Sequence, residues 1–227
     1  KYLNNPKELL IPINENNSLT EKVYKTNISQ SGDIVLMNKL KELRKKIADD
    51  KSIPPYVIFQ DPSLNEMTFR YPISTDELSS IFGVGEGKAK KYGKDFIELI
   101  AKHVEENNID RPDDMVVKSA GKNSSLKLFI IQGIDRKLSV EDIAQSKSMQ
   151  VEELISEMET IVYSGTKLDL SYCIDDYLDE DQQDELYDYF IESESDDIEQ
   201  ALTEFDGEYD EFELKLFRIK FLSDLAN

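Results

Sequence analysis

Residues 53–95 hold two rigid corners inside a helical pattern, and together they restrict what the surrounding chain can become. The first corner is Ile53-Pro54-Pro55-Tyr56-Val57-Ile58-Phe59-Gln60-Asp61. Proline lacks an amide hydrogen and has a fixed φ, so the pair ends one helix and can open the next at its first turn. The second corner is Gly83-Val84-Gly85, which runs into Lys88-Ala89-Lys90-Lys91-Tyr92-Gly93-Lys94. Glycine reaches positive φ without a steric penalty, which suits a tight turn between helices. Apolar residues recur at helical spacing around both corners. Asp33 is placed to cap a helix whose stripe is Leu36, Leu40, Leu43 and Ile47, with Lys39, Lys41, Arg44, Lys45 and Lys46 off it. Asp61-Pro62 reads as cap and first residue of a helix carrying Leu64 and Met67, which Pro72 ends. Ser74 stands three residues before Glu77, the capping-box spacing, ahead of Leu78 and Ile81. Ala89, Gly93, Phe96, Ile97, Ile100 and Val104 share one face of the last helix. The pattern predicts a five-helix bundle over residues 33–106.

A second helical region follows. Residues 107–123 are polar and irregular and read as a linker, as do residues 16–32. From Ser124 onward come Leu126, Phe129 and Ile130, then a helix capped at Ser139, then one with Val151, Leu154, Ile155, Met158, Ile161 and Val162 as its core face. Gly165 closes that helix. Leu168, Leu170, Tyr172 and Ile174 alternate with polar residues, the period of a strand. Helix, helix and short strand outline a helix-turn-helix with a rudimentary wing. Three more helices are expected near 179–192, 195–204 and 209–225, the last apolar on two faces and therefore buried. The fold class expected is all-α: a five-helix bundle, then a second, acidic, mostly helical domain over residues 124–227 with at most a short strand.

Charge divides the chain the same way. Residues 36–103 carry 12 basic and 10 acidic side chains, whereas residues 137–227 carry 6 and 27. Nearly the whole net charge of −20 therefore belongs to the C-terminal part. No apolar run approaches the ~18 residues of a membrane span, and no leader is visible. The chain begins at Lys1 without Met, which reads as a piece of something longer. Cys173 stands alone, so neither a disulfide framework nor a thiolate metal site can form, and it reads as a small packed side chain.

Catalytic chemistry finds no footing. Gly83-Val84-Gly85-Glu86-Gly87-Lys88 lacks the spacing of a phosphate-binding P-loop, and Ala89 stands where Ser or Thr is needed. The dinucleotide fingerprint needs a glycine where Lys88 stands and a strand before the turn. His103 is the single histidine, late in its helix where a cation meets the helix dipole. Asp175, Asp176, Asp179, Glu180 and Asp181 lack the frame of a calcium loop and read as a solvated face. No nucleophile–base pair or metal set is visible, so catalytic residues, metal and cofactor are expected to be absent from these residues. What remains is the turn. Gly83 and Gly85 either form a plain helix connection, or present helix N–H groups to an anion with Lys88, Lys90, Lys91 and Lys94 supplying charge.

These residues resemble the HRDC domain (helicase and RNase D C-terminal) of RecQ-family DNA helicases. The likeness covers residues 33–106 and rests on Leu40-Lys41-Glu42-Leu43-Arg44-Lys45-Lys46-Ile47-Ala48, the Ile53–Asp61 run, Leu64, Pro72, and Gly83-Val84-Gly85 through Phe96. Residues 1–15 look like the tail of the winged-helix domain that precedes it. Leu138-Ser139-Val140-Glu141-Asp142-Ile143-Ala144 is similar to the helix-turn-helix opening of an extra C-terminal domain in some bacterial RecQ proteins. That segment departs in charge: its recognition helix carries Glu152, Glu153, Glu157 and Glu159, which phosphates repel.

The resemblance implies an ATP-dependent 3′→5′ DNA helicase of recombination and repair, bacterial, cytoplasmic and nucleoid-associated. Its ATP, magnesium and motor would lie outside these residues. It implies that the bundle weakly binds single-stranded or branched DNA through Lys88, Lys90, Lys91, Tyr92 and Lys94, with Arg44, Lys45 and Lys46 as further contacts. Tyr92 would stack on a base or, alternatively, pack in the core. Two other roles stay open: an accessory domain of a ribonuclease, and a protein-contact or autoinhibitory module. In the latter the acidic domain meets a basic partner or folds back within the chain. No membrane contact is implied, and a monomer is expected.

Overall fold

The computed structural model describes residues 32–111 and 123–225; the expectations for residues 1–15 and most of both linkers fall outside them. Asp33 caps α1 (Ile34–Lys51), its carboxylate accepting from the Leu36 amide at 2.9 Å. The Pro-Pro corner opens α2 (Pro55–Ile58). In α3 (Asp61–Arg70) the cap position belongs to Gln60 rather than Asp61, and Asp61 instead pairs with Lys41 and Arg44. Ser74 caps α4 (Thr75–Ser79) through the Glu77 amide. Glu77 reaches back to the Ile73 amide at 2.8 Å. The long α5 (Glu86–Asn107) completes the bundle.

The C-terminal module has α6 (Asn123–Asp135), α7 (Val140–Ser146), α8 (Val151–Tyr163), α9 (Glu180–Glu192), α10 (Ile198–Glu204) and α11 (Glu211–Leu225). α11 packs against α8, α9 and α10. It buries Leu214, Leu216, Phe217, Ile219, Phe221 and Leu222, the two-sided burial that its sequence predicts. The strand expected over 168–174 does not form. Leu168 and Leu170 are buried in the core, but among the described residues their backbone has no partner strand: the Leu168 amide bonds the Ser223 hydroxyl at 3.2 Å, and Ile174–Asp176 turn into one 3-10 segment. Alternating burial alone does not make a strand when no edge is available to pair with.

The described residues belong to one compact unit. Leu36, Leu40, Ile58, Phe59, Leu64, Met67, Leu78 and Phe96 build the bundle core. Tyr56 and Val57 leave that core and join the C-terminal one, beside Leu154, Ile161, Phe190 and Phe217. The four residues after the Pro-Pro corner are thus divided, two to each side. The Tyr56 hydroxyl donates to the Phe190 carbonyl, so the polar tip of this plug is satisfied.

Candidate nucleic-acid interface

The bundle's basic residues fall into two groups. Arg44 is buried: Nη1 donates to the Phe59 carbonyl at 2.6 Å and Nη2 meets Asp61 at 2.7 Å. It therefore ties α1 to the α2–α3 corner and is not available to DNA, contrary to the expectation. The reason is register. Leu36, Leu40, Arg44 and Ala48 are the buried residues of α1, a strict i, i+4 row, while Leu43 and Ile47 are only half buried.

Lys88 gives the same correction. It is 2 % exposed, on the Lys88–Tyr92–Phe96 row of α5. Burial depresses its ammonium to about 8, with Asp196 acting to raise it and Lys91 to lower it. Tyr92, expected to stack on a base, is 4 % exposed and stands edge-on to Phe59, so its core alternative holds. Lys90 is exposed but paired to Glu86, one turn back; such pairs in water are worth little. Lys45, Lys46, Lys91 and Lys94 are exposed. The ammoniums of Lys91 and Lys51 stand 5.3 and 5.9 Å from the Tyr92 ring centroid, bringing charge from α5 and from the end of α1 to one place.

The two glycines of the turn differ. Gly83 has φ +72, the left-handed conformation that glycine favours. Gly85 has φ −90 and ψ 172, ordinary extended backbone. A Cβ on Gly85 would come 2.1 Å from the Ser164 carbonyl oxygen. The first turn of α5 is therefore covered by the end of α8. This turn does not fit the phosphates of ATP either, since the end of α8 lies against it and its lysine is buried. Between the glycines and α4, Phe82 is 63 % exposed. Its amide donates to Glu66 at 2.8 Å and its carbonyl accepts from Ser63 at 2.7 Å, so an exposed aromatic ring is held on a fixed backbone. Sequence reasoning passed over Phe82 because a lone aromatic in a turn carries no periodicity.

His103 is 3 % exposed and is a structural group. Nε2 meets Asp33 at 2.7 Å, while Nδ1 faces the Lys39 ammonium at 3.3 Å. Burial acts to raise the Asp33 carboxyl, but the Leu36 amide and His103 outweigh it and hold it below the ordinary range. Among the described residues no group of three or more His, Cys, Asp or Glu is placed to hold a metal. No described helix is long and apolar enough to cross a membrane.

In the C-terminal module the exposed face of α8 carries Glu152, Glu153, Ser156 and Thr160. Glu159 turns inward to Arg218. Asp196 lies between α9 and α10 and meets both modules: its Oδ2 accepts from Gln60 at 2.7 Å and from the Tyr163 hydroxyl at 2.6 Å. Its backbone carbonyl accepts from Arg218.

The HRDC domain family matches residues 33–100, and the RecQ-1-like helix-turn-helix domain family matches residues 124–174. The ATP-dependent DNA helicase RecQ of Bacillus subtilis is 46 % identical over 65 residues, 29 % of this chain and 11 % of that protein. RecQ of Haemophilus influenzae is 44 % identical over 68 residues, 30 % of this chain and 11 % of the relative. The ATP-dependent DNA helicase Q-like 4B of Arabidopsis thaliana is 32 % identical over 80 residues, 34 % of this chain and 7 % of the relative. The matched stretch thus spans about a tenth of these relatives' length. The chain thus matches an HRDC domain and a RecQ-1-like helix-turn-helix domain in tandem, and is similar to the C-terminal region of RecQ helicases.

Proposed function

We propose that the chain is a non-catalytic accessory region of an ATP-dependent DNA helicase, and that its bundle makes weak contact with single-stranded or branched DNA. The observation that carries this reading is the gathering of Lys51 and Lys91 on the rim of Tyr92, with Lys94 one turn along α5 from Lys91 and Lys45 and Lys46 further back on α1. Cations from two helices suit a flexible phosphate backbone better than a compact anion. Phe82 replaces Tyr92 as the aromatic that a base can reach. The helix-turn-helix is not assigned to DNA, because the exposed side of α8 is acidic. The ATP and magnesium chemistry is assigned to the motor of the parent protein. The relatives' names favour a helicase over a ribonuclease as that parent.

Fluorescence anisotropy of labelled single-stranded DNA with the whole chain, across a salt series, tests this. Two to three phosphate contacts give a log–log slope of about −1.5 to −2. Lys91→Ala with Lys94→Ala should flatten that slope. Phe82→Ala should weaken binding by about 1 kcal/mol or more and leave the slope unchanged, since stacking releases no counterion. An isotherm indifferent to all three substitutions contradicts the assignment.

A further inference from the structure

The bundle itself does not require glycine at position 85, because φ −90 and ψ 172 are open to any residue. The C-terminal module requires it. A Cβ there would lie 2.1 Å from the Ser164 carbonyl oxygen and 3.0 Å from Ser164 Cβ. Backbone meets backbone at this point, so no rotamer change makes room. Two residues along, a Cβ on Gly87 would lie 3.4 Å from the Gly165 carbonyl oxygen, and a Cβ on Gly165 would lie 2.7 Å from Lys88 Cγ. The end of α8 is thus laid across the first turn of α5, where unbonded N–H groups and the helix dipole favour an anion.

The same junction brings an anion of the chain's own to Lys88. Asp196 is the negative group acting on that ammonium, and it is held in place by Gln60 from the bundle and Tyr163 from α8. Tyr56 and Val57, sunk in the C-terminal core, make the contact more than a surface touch.

We propose that the C-terminal module is a built-in competitor for the nucleic-acid face at the start of α5, with Gly85 and Asp196 as the residues that seat it. The inference rests on the reading of the bundle as a nucleic-acid module. Seated, the module covers the α5 amides and Lys88 and surrounds them with the acidic surface of residues 137–225. Unseated, it returns to nucleic acid one buried cation and one helix N-terminus beyond the exposed lysines.

The test uses the whole chain with Gly85→Ala, which adds one methyl group where the two backbones meet. Helicity by circular dichroism should be retained. Lys88 acylation, followed by mass spectrometry, should be about ten-fold faster than in the wild type, because a buried lysine reacts only from opened states. Affinity for single-stranded DNA at low salt should rise about three- to ten-fold, and the log–log slope should steepen by about 0.7, the share of one further phosphate. Asp196→Ala adds no bulk and should move both readouts the same way; it decides the matter if Gly85→Ala does not fold. Faster acylation with unchanged affinity in chains that bind DNA overturns the competition and leaves the nucleic-acid reading standing. Unchanged acylation in both variants overturns the seating. Lack of DNA binding by the wild type and by both opened variants overturns the proposal together with the reading beneath it.

Discussion

Arg44 in the bundle and Arg218 in the C-terminal module are both nearly buried, yet each accommodates a sunken guanidinium differently. Arg44 faces Asp61, a carboxylate more than half exposed, and a carbonyl only 15 residues away in sequence. Arg218 faces Glu159, whose side chain is 14 % exposed, and the carbonyl of Asp196, and its guanidinium lies 5.8 Å from the centre of the Tyr163 ring. In each the Nε is buried without a partner, so neither site is fully satisfied. The difference lies in what the arginine organises. Arg44 closes a local corner within the bundle. Arg218 fixes the segment that bears Asp196, and through it the junction with the bundle. The C-terminal module therefore cannot loosen around Arg218 without also loosening its hold on Gln60.

Methionine at each arginine sharpens that contrast. Arg218→Met leaves Glu159 largely shielded from water and without its guanidinium, a loss of about 3 kcal/mol or more in urea unfolding. Arg44→Met should lose only about 1–2 kcal/mol, because Asp61 can turn to water and keeps Lys41. Equal losses would break the comparison.

An effect of opposite sign is expected at Lys88. Separated or unfolded, its ammonium titrates near the ordinary lysine value of 10.5; packed, near 8. Between those values the open chain holds the extra proton, so stability of the packed state rises as pH climbs from 8 to 10.5. Below 8 the cost of burying the charge is present in full. Lys88→Met removes it and should stabilise the chain at pH 7 by about 2–3 kcal/mol. The substitution should also flatten the rise at alkaline pH in thermal melts. A Lys88→Met chain that is less stable at neutral pH would mean that Asp196 needs the cation more than the core rejects it.

Much of the bundle was legible because its signals are local. Asp33 and Ser74 cap where their types suggest, and both corners turn where proline and glycine allow. The buried charges were legible too, had the charged residues been placed on the helical wheel with the apolar ones. Arg44 continues Leu36 and Leu40, and Lys88 precedes Tyr92 and Phe96 in the same row. Counting lysines as charge without asking which face they occupy overstated the basic site. The junction could not be read in this way. Tyr56 meets Phe190 across 134 residues and Gln60 meets Asp196 across 136, and neither contact leaves a mark on local periodicity. The strand expected at Leu168 failed for a related reason, since pairing depends on a distant edge that the sequence does not announce. Gly85 carries the lesson most clearly: its turn is local, but its missing side chain answers to Ser164.

The most direct measurement is hydrogen exchange of the whole chain across a urea series, read separately for peptides from residues 33–106 and 123–225. If the two modules are one body joined through Tyr56, Gly85 and Asp196, their slowest amides should open at one common urea midpoint, and Gly85→Ala should split that midpoint in two. Separate midpoints in the wild type, with the first turn of α5 exchanging as fast in the wild type as in Gly85→Ala, would contradict the account.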